Sequence, residues 1–301
     1  MNRLMKYMFN ILNKRKKQRG KIRTHEELEE IKKLYKPIDK ITEEYADSIK
    51  RINQKMFNIM GAVFNEKIAP IILEYYNSIN NNNNDSQFEK YRKIIESELA
   101  IISIAIDSLF EYGYLINIIE DFYEAANEAQ RRILLSEAIS NMDYLPPDIM
   151  SVFDDNVDDI LDESESDSAD HIINTIPVEY VERVNIRIIE SIKKGVAISA
   201  ISLMIADIND MADNKADSIA ENDSSNIVSE LSEQRSENIG VEYFEWRTMS
   251  DNKVRDMHAA LEGMVFRWDS GADGSGVPAE MIGMYPGEDY NCRCRGLPVF
   301  G

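Results

Sequence analysis

Cys292, Cys294, His258 and Asp251 are the side chains of this sequence best suited to chemistry. Both cysteines, both tryptophans and one of the three histidines lie between Tyr243 and Pro298, in the last fifth of a 301-residue chain. Two thiolates and an imidazole are donors that zinc prefers, and the carboxylate of Asp251 would complete a tetrahedron, so zinc is the candidate cofactor. Cys-x-Cys is tighter than the usual Cys-x-x-Cys pair. Two cysteines one residue apart are also poorly placed to bridge each other, because a disulfide needs converging Cβ vectors. The same residues fit two other roles. Asp251, Arg255 and His258 stand four and seven residues apart, so they share one face of a helix, and an Asp–Arg pair could orient a hydrogen-bonded histidine packed on Trp246 or Trp268. Asp251 and His258 could instead be the orienter and base of a metal-dependent nuclease or hydrolase. No serine on a glycine elbow accompanies them, and no second histidine or nearby glutamate completes a hydrolytic metal motif, so no enzyme is expected. Arg293 and Arg295 flank the thiols and could bind phosphate or depress a thiol pKa.

The elements that must position these groups are short. Val241 to Trp246 is rich in strand formers, Thr248 to Asp251 has capping-box spacing, Val254 to Leu261 predicts a short helix, and Gly263 can close it. Met264 to Trp268 predicts a second strand, and Ser270 to Pro278 a flexible glycine-containing loop without core side chains. Upstream the pattern is helical. Val178 to Ile208 and Met211 to Asn238 predict two helices, with Gly195 permitting close packing in the first and Gly240 capping the second. Thr24 to Tyr76 carries apolar residues three and four apart, including Ile38, Tyr45, Ile49, Ile52, Met56 and Ile59, which predicts a long amphipathic helix kinked near Pro37. Asn80 to Asn84 predicts a turn, Phe88 to Ser140 two or three further helices, and Tyr144 to Asp148, with its two prolines, a stop. Asp154 to Asp170 is almost continuously acidic, and its sparse apolar content predicts a mobile linker. A calcium loop fits less well there, since the glycine and terminal glutamate of an EF-hand are absent.

The expected fold class is therefore mainly α, with long N-terminal helices and a small C-terminal α+β module. The expected order is a basic arm (1–23), a helical domain (24–150), an acidic linker (151–175), a helical hairpin (176–240) and the α+β module (241–301).

At 44% hydrophobic residues the chain can bury a core. A net charge of −20 would repel nucleic acid if it were spread evenly, but Arg3, Lys6, Lys14, Arg15, Lys16, Lys17, Arg19, Lys21 and Arg23 all precede the first carboxylate, Glu26. Lys14, Arg15, Lys16, Lys17 and Arg19 are the candidates for contact with DNA phosphates, an anionic membrane surface or an acidic protein groove. No apolar run approaches the length of a membrane span; the longest, Leu99 to Ile106, contains Ser103. Cysteine usage fits a reducing cytoplasm or a particle assembled there.

The order Trp246-x-Thr248-x-x-Asp251-x-x-Val254-Arg255-x-x-His258-x-x-Leu261-x-Gly263, resuming from Pro286 through Asn291-Cys292-Arg293-Cys294 to Pro298, resembles the Mu F-like minor head proteins of tailed phages. Ala216 to Asp223, with Arg235 before Gly240, resembles the helix preceding that motif in the family, although Glu221 stands where the family usually has arginine. The resemblance implies a phage minor head protein of the capsid. It would bind the portal protein and other head proteins during head morphogenesis in the host cytoplasm, and be retained inside the virion near the portal. It also implies a part in DNA packaging or DNA ejection, with the basic arm against packaged DNA. With three residues after Pro298, an attached effector domain is not expected. The rival readings are the metal-dependent nuclease or hydrolase above and a cytoplasmic or membrane-surface adaptor.

Overall fold

The computed structural model describes residues 25–79, 85–110, 112–142 and 149–300. The basic arm, with Lys14, Arg15, Lys16, Lys17 and Arg19, lies outside them, as do Asn80 to Asn84 and the two prolines of the expected stop.

Helices dominate, as the apolar spacing requires. Helix α1 (His25–Val63) continues through Pro37 and is followed by a π turn (Phe64–Ile68) and α2 (Ala69–Ile79). Its stripe is the core: Ile38, Tyr45, Ile49, Ile52, Met56, Met60, Phe64, Ile68 and Ile72 are all buried. Next come α3 (Asp85–Asp107), a 3₁₀ turn (Ser108–Phe110), α4 (Tyr112–Asn141), the short α5 (Ile149–Phe153), α6 (Val157–Lys193) and α7 (Ile198–Asn238). Residues Lys33–Ile79 are long and apolar enough to cross a membrane by length and composition, which no single apolar run in the sequence suggested. Their Ile49, Met56, Met60, Ile68 and Ile72 are nonetheless buried within the protein.

Two expectations are corrected. The acidic segment is no mobile linker, because most of it forms the first half of α6. Small residues carry its inner face: Val157, Ser168 and Ala169 are buried ahead of Ile172 and Ile176, while Asp158, Asp159, Asp162, Asp167 and Asp170 are exposed or half-exposed. Counting large apolar residues missed serine and alanine as helix-packing side chains. The second correction concerns the break between the last two long helices, which falls at Gly195 and not near Asp210. Gly195 has φ 67°, and Val196 N donates to Ser191 O at 3.0 Å, so the glycine ends α6 in a left-handed turn. A Cβ there would meet nothing within 4 Å, so the expected close packing is not its role.

The chain forms two compact units, each discontinuous in sequence, and this differs from the serial order expected. Helices α1, α4, α6 and α7 each contribute to both. One unit comprises Glu44–Glu120 and Ser166–Ile219. In it Phe57 stacks near Tyr180 with ring centroids 5.5 Å apart, buried Asn53 donates to Ala212 O at 3.2 Å, and Tyr76 donates to Val196 O at 2.7 Å. Of the described residues, the other unit contains 25–43, 121–142, 149–165 and 220–300. Its helical part is organised around fully buried Arg235, which donates to Asp154 Oδ1 at 3.0 Å, to Asn127 and to Gln130. Asp154 also accepts from Arg131 at 3.1 Å, so an acidic residue of the expected linker neutralises a buried cation.

The C-terminal module belongs to this second unit. Strands β1 (Tyr243–Arg247), β2 (Val265–Arg267) and β3 (Arg295–Pro298) form an antiparallel sheet in the order β2-β1-β3, and α8 (Asp256–Ala259) lies between β1 and β2 in sequence. The first two strands match expectation, the helix is shorter than Val254 to Leu261, and β3 was not foreseen. Phe244 and Trp246 point from β1 into a core with Leu261, Phe266, Trp268, Met281 and both cysteines. The glycine-containing loop also contributes to that core. Ala272 is fully buried and its N–H donates to Met284 O at 2.9 Å, so a segment expected to lack core side chains is anchored by one.

Candidate functional site

Arg255, an N-cap with extended backbone, starts α8, and one turn brings His258 inward beneath β1. The imidazole meets the Trp246 indole edge-on, with centroids 6.0 Å apart. Cys292 and Cys294 arrive on the segment leading into β3. Asn291 adopts φ 52°, a conformation asparagine tolerates, and Cys292 N donates to Asp289 O at 2.8 Å, so the chain turns and delivers both sulfurs to the histidine. Gly287 allows the same segment to reach α7, since a Cβ on it would lie 2.7 Å from the carbonyl oxygen of Ser225.

His258, Cys292 and Cys294 are each 3% exposed, and neither cysteine is in a disulfide. Cys292 Sγ lies 3.3 Å and Cys294 Sγ 3.5 Å from the same atom, His258 Nδ1. The three donor atoms all fall within 4.8 Å of one another. On the other side of the ring, His258 Nε2 is 3.1 Å from Asp289 Oδ2, the oxygen that also accepts from Arg255. Arg255 further donates to Tyr290 O at 2.5 Å.

The hydrogen bond between the sulfurs holds Cys292 well below the usual thiol range, at about 5, against the upward push of burial. The same bond, followed by burial, raises Cys294. Cys294 N also donates to Cys292 Sγ at 3.4 Å.

Asp251 does not join this cluster. Its carboxylate accepts from Arg293 at 2.7 and 2.9 Å and, in a local turn, from Lys253 N at 3.0 Å. Burial pushes its carboxyl up, and the Arg293 and Lys253 hydrogen bonds outweigh that and leave it below the usual range. Asp251 is therefore neither a fourth ligand nor the orienter of His258, and it pairs with Arg293 and not Arg255. It lies outside α8, so the helical spacing that suggested a shared face does not apply. The capping box is absent too. Glu262 accepts from Thr248 N at 2.6 Å and Thr248 Oγ1 at 2.7 Å, and from Arg247 at 2.6 Å, while Arg247 also pairs with Glu245. Gly263, at φ 74°, ends the helical turn as expected and donates to Trp246 O at 2.8 Å.

Asp289 and Glu262 were missed in the sequence. Asp289 had a usable signal, since it lies three residues before Cys292 inside the second motif block. Arg295 is buried as well. Its guanidinium lies over the Tyr35 ring at 5.8 Å and donates to Ser225 Oγ at 3.4 Å, so it joins the module to α1 and α7 and is not open to phosphate.

Chemically the cluster can hold a soft metal ion through Nδ1 and two sulfurs. The series Cys292, His258, Asp289 also has the order of a thiol-hydrolase triad. That arrangement needs a nucleophile open to substrate, whereas Cys292 is buried against a second cysteine.

Residues 182–297 match the family model described as Phage Mu protein F like protein. A Haemophilus influenzae (strain ATCC 51907 / DSM 11121 / KW20 / Rd) protein described as "Uncharacterized protein" is 27% identical over 128 residues, which is 42% of this chain and 27% of that protein. The chain thus covers well under two thirds of that relative's length. No solved structure matches the chain.

Proposed function

Through residues 182–297 the chain belongs to the Mu F-like family of phage head morphogenesis proteins, and from that premise we propose that it is a non-enzymatic minor head protein. It docks on the portal during head assembly in the host cytoplasm and remains inside the virion beside the portal. One observation carries the reading. The motif residues engage one another, as Asp251 with Arg293 and Arg255 and His258 with Asp289, and so build a compact module. Burial of His258 and both thiols supports an architectural role over turnover of a substrate. The cations Lys14, Arg15, Lys16, Lys17 and Arg19 suit an acidic face of the portal, another head protein or packaged DNA, with contact that weakens as salt rises. A role in packaging or ejection would act through that contact.

The test is co-purification. The full chain, a version lacking residues 1–23 and one with Lys14, Arg15, Lys16, Lys17 and Arg19 replaced by Gln are each expressed with the portal and head proteins of the same phage. Wild-type chain should be found in purified particles and be captured by portal, with a salt dependence that the Gln variant flattens. Particles free of the chain, together with no capture by portal at low salt, would refute the proposal.

A further inference from the structure

We infer that His258 Nδ1, Cys292 Sγ and Cys294 Sγ bind one zinc ion that fastens α8 to the segment leading into β3, with Asp289 as the positioning carboxylate. Asp289 is paired with Arg255, so it is an acceptor, and Nε2 must carry the proton that faces it. In the neutral ring, Nδ1 then has a single lone pair, yet two sulfurs converge on it at 3.3 and 3.5 Å. One lone pair can accept only one S–H bond, so without an ion the second thiol must turn to the other sulfur, whereas an ion between the three atoms engages all of them directly.

Zinc bonds of about 2.3 Å to sulfur and about 2.0–2.1 Å to nitrogen, opened to a tetrahedral angle, put S and N roughly 3.5 Å apart. The observed 3.3 and 3.5 Å match that separation, and all three donor atoms lie within 4.8 Å of one another. The donor set also chooses the ion, because two thiolates with an imidazole favour zinc over the oxygen-seeking magnesium or calcium.

The surroundings point the same way. A carboxylate on the far nitrogen of a ligating histidine fixes its tautomer and ring orientation, and Asp289 stands at that place. Cys294 N donates to Cys292 Sγ, a contact that stabilises sulfur in its thiolate form. The module contains strands of five, three and four residues and a helix of four, so regular hydrogen bonding supplies little of its rigidity, and small folds of this kind commonly rely on a metal. Three protein donors leave one tetrahedral position to water or an incoming donor, and Asp251, held by Arg293, does not fill it.

The experiment uses the full chain purified under reducing conditions, so it is independent of whether the chain docks on a portal. About one zinc per chain is expected by elemental analysis. Cobalt(II) exchanged into the site should show sulfur-to-cobalt charge transfer and the strong visible bands of tetrahedral coordination. Cys292→Ala and Cys294→Ala should each lower zinc content at least tenfold. Because either variant could fail to fold, the wild-type protein supplies a second readout: a strong chelator should lower its thermal midpoint, and added Zn²⁺ should restore it. Asp289→Asn keeps all three donors and should weaken Zn²⁺ binding by about 10–100-fold in competition with a chromophoric chelator. Folded, reduced wild-type protein that carries no zinc and takes up neither Zn²⁺ nor cobalt(II) would overturn the inference, as would unchanged zinc content in a folded Cys292→Ala protein.

Discussion

Replacing Glu233 by Gln should stabilise the C-terminal unit at pH 8 and leave it unchanged at pH 4. Glu233 lies on α7, partly buried, with Glu230 and Glu237 one turn away on either side and Glu288 facing it from the module. Burial, then the charges of Glu237, Glu230 and Glu288, raise its carboxyl from 4.5 to about 7. A raised carboxyl pKa means the folded state keeps a proton that the unfolded chain has released. Stability is therefore complete below pH 4.5, falls as pH rises through the interval to about 7, and is flat above it. That interval corresponds to about 3 kcal/mol at about 1.36 kcal/mol per pH unit. Solvent screening and residual interactions in the unfolded chain reduce this to on the order of 1–2 kcal/mol. Gln keeps the size and removes the charge, so the gain should follow the titration. Urea unfolding read by tryptophan fluorescence is suited to the measurement, because Trp246 and Trp268 are both buried in the same unit. An equal gain at pH 5 and pH 8 would refute the reasoning, since it would come from side-chain packing and not from charge.

Arg235→Met should cost about 3 kcal/mol in the same assay, because it removes a fully buried cation and leaves Gln130, Asn127 and Asp154 short of a donor. Gly287→Ala should destabilise by about 2 kcal/mol or more, as its Cβ would press on Ser225 O from a backbone at φ 99°, and a melting point within error of wild type would disprove the contact. Asp251→Asn should change stability by less than about 1 kcal/mol, since its pair with Arg293 is partly exposed, and should leave zinc content unaltered; loss of metal would restore Asp251 as a ligand. Deleting Asp154 to Asp170 should abolish cooperative unfolding by circular dichroism, because it removes the partner of Arg235 and the first half of α6.

The helical architecture was legible because Ile38, Tyr45, Ile49, Ile52 and Met56 repeat at the period of a helix and are the residues buried in it. The acidic stretch was illegible for a physical reason. Its charges face outward, and what packs is Ser168 and Ala169, which a search for large apolar residues does not register. Strand β3 was hidden because Arg295-Gly-Leu-Pro298 combines a charge, a glycine and a proline, all poor strand formers. Its glycine is required by the neighbour, since a Cβ on Gly296 would come within 2.8 Å of the Trp268 ring. In the candidate site, residue types singled out His258, Cys292 and Cys294, which the fold brings together, but helical spacing placed Asp251 with them and it pairs with Arg293 instead. Spacing identifies helix neighbours only where a helix exists, and Asp251 lies in a turn before α8.

The two blocks of the motif are complementary halves of one structure. Trp246 pairs with Gly296 across the sheet, Asp251 with Arg293, Arg255 with Asp289, and His258 with Cys292 and Cys294. The first three of these pairs run in reversed order along the chain, as antiparallel β1 and β3 start them, whereas His258 on α8 turns back to the two cysteines. The glycine-containing segment between the blocks needs only to return the chain, and Ala272 and Met281 fasten it to the core as it does so. This arrangement accounts for the pattern of rare residues in the two blocks. Replacing one member of a pair unbalances its partner, so the spacing within each block is fixed by the other. The chemically capable centre, His258 with two thiols, lies enclosed within this network.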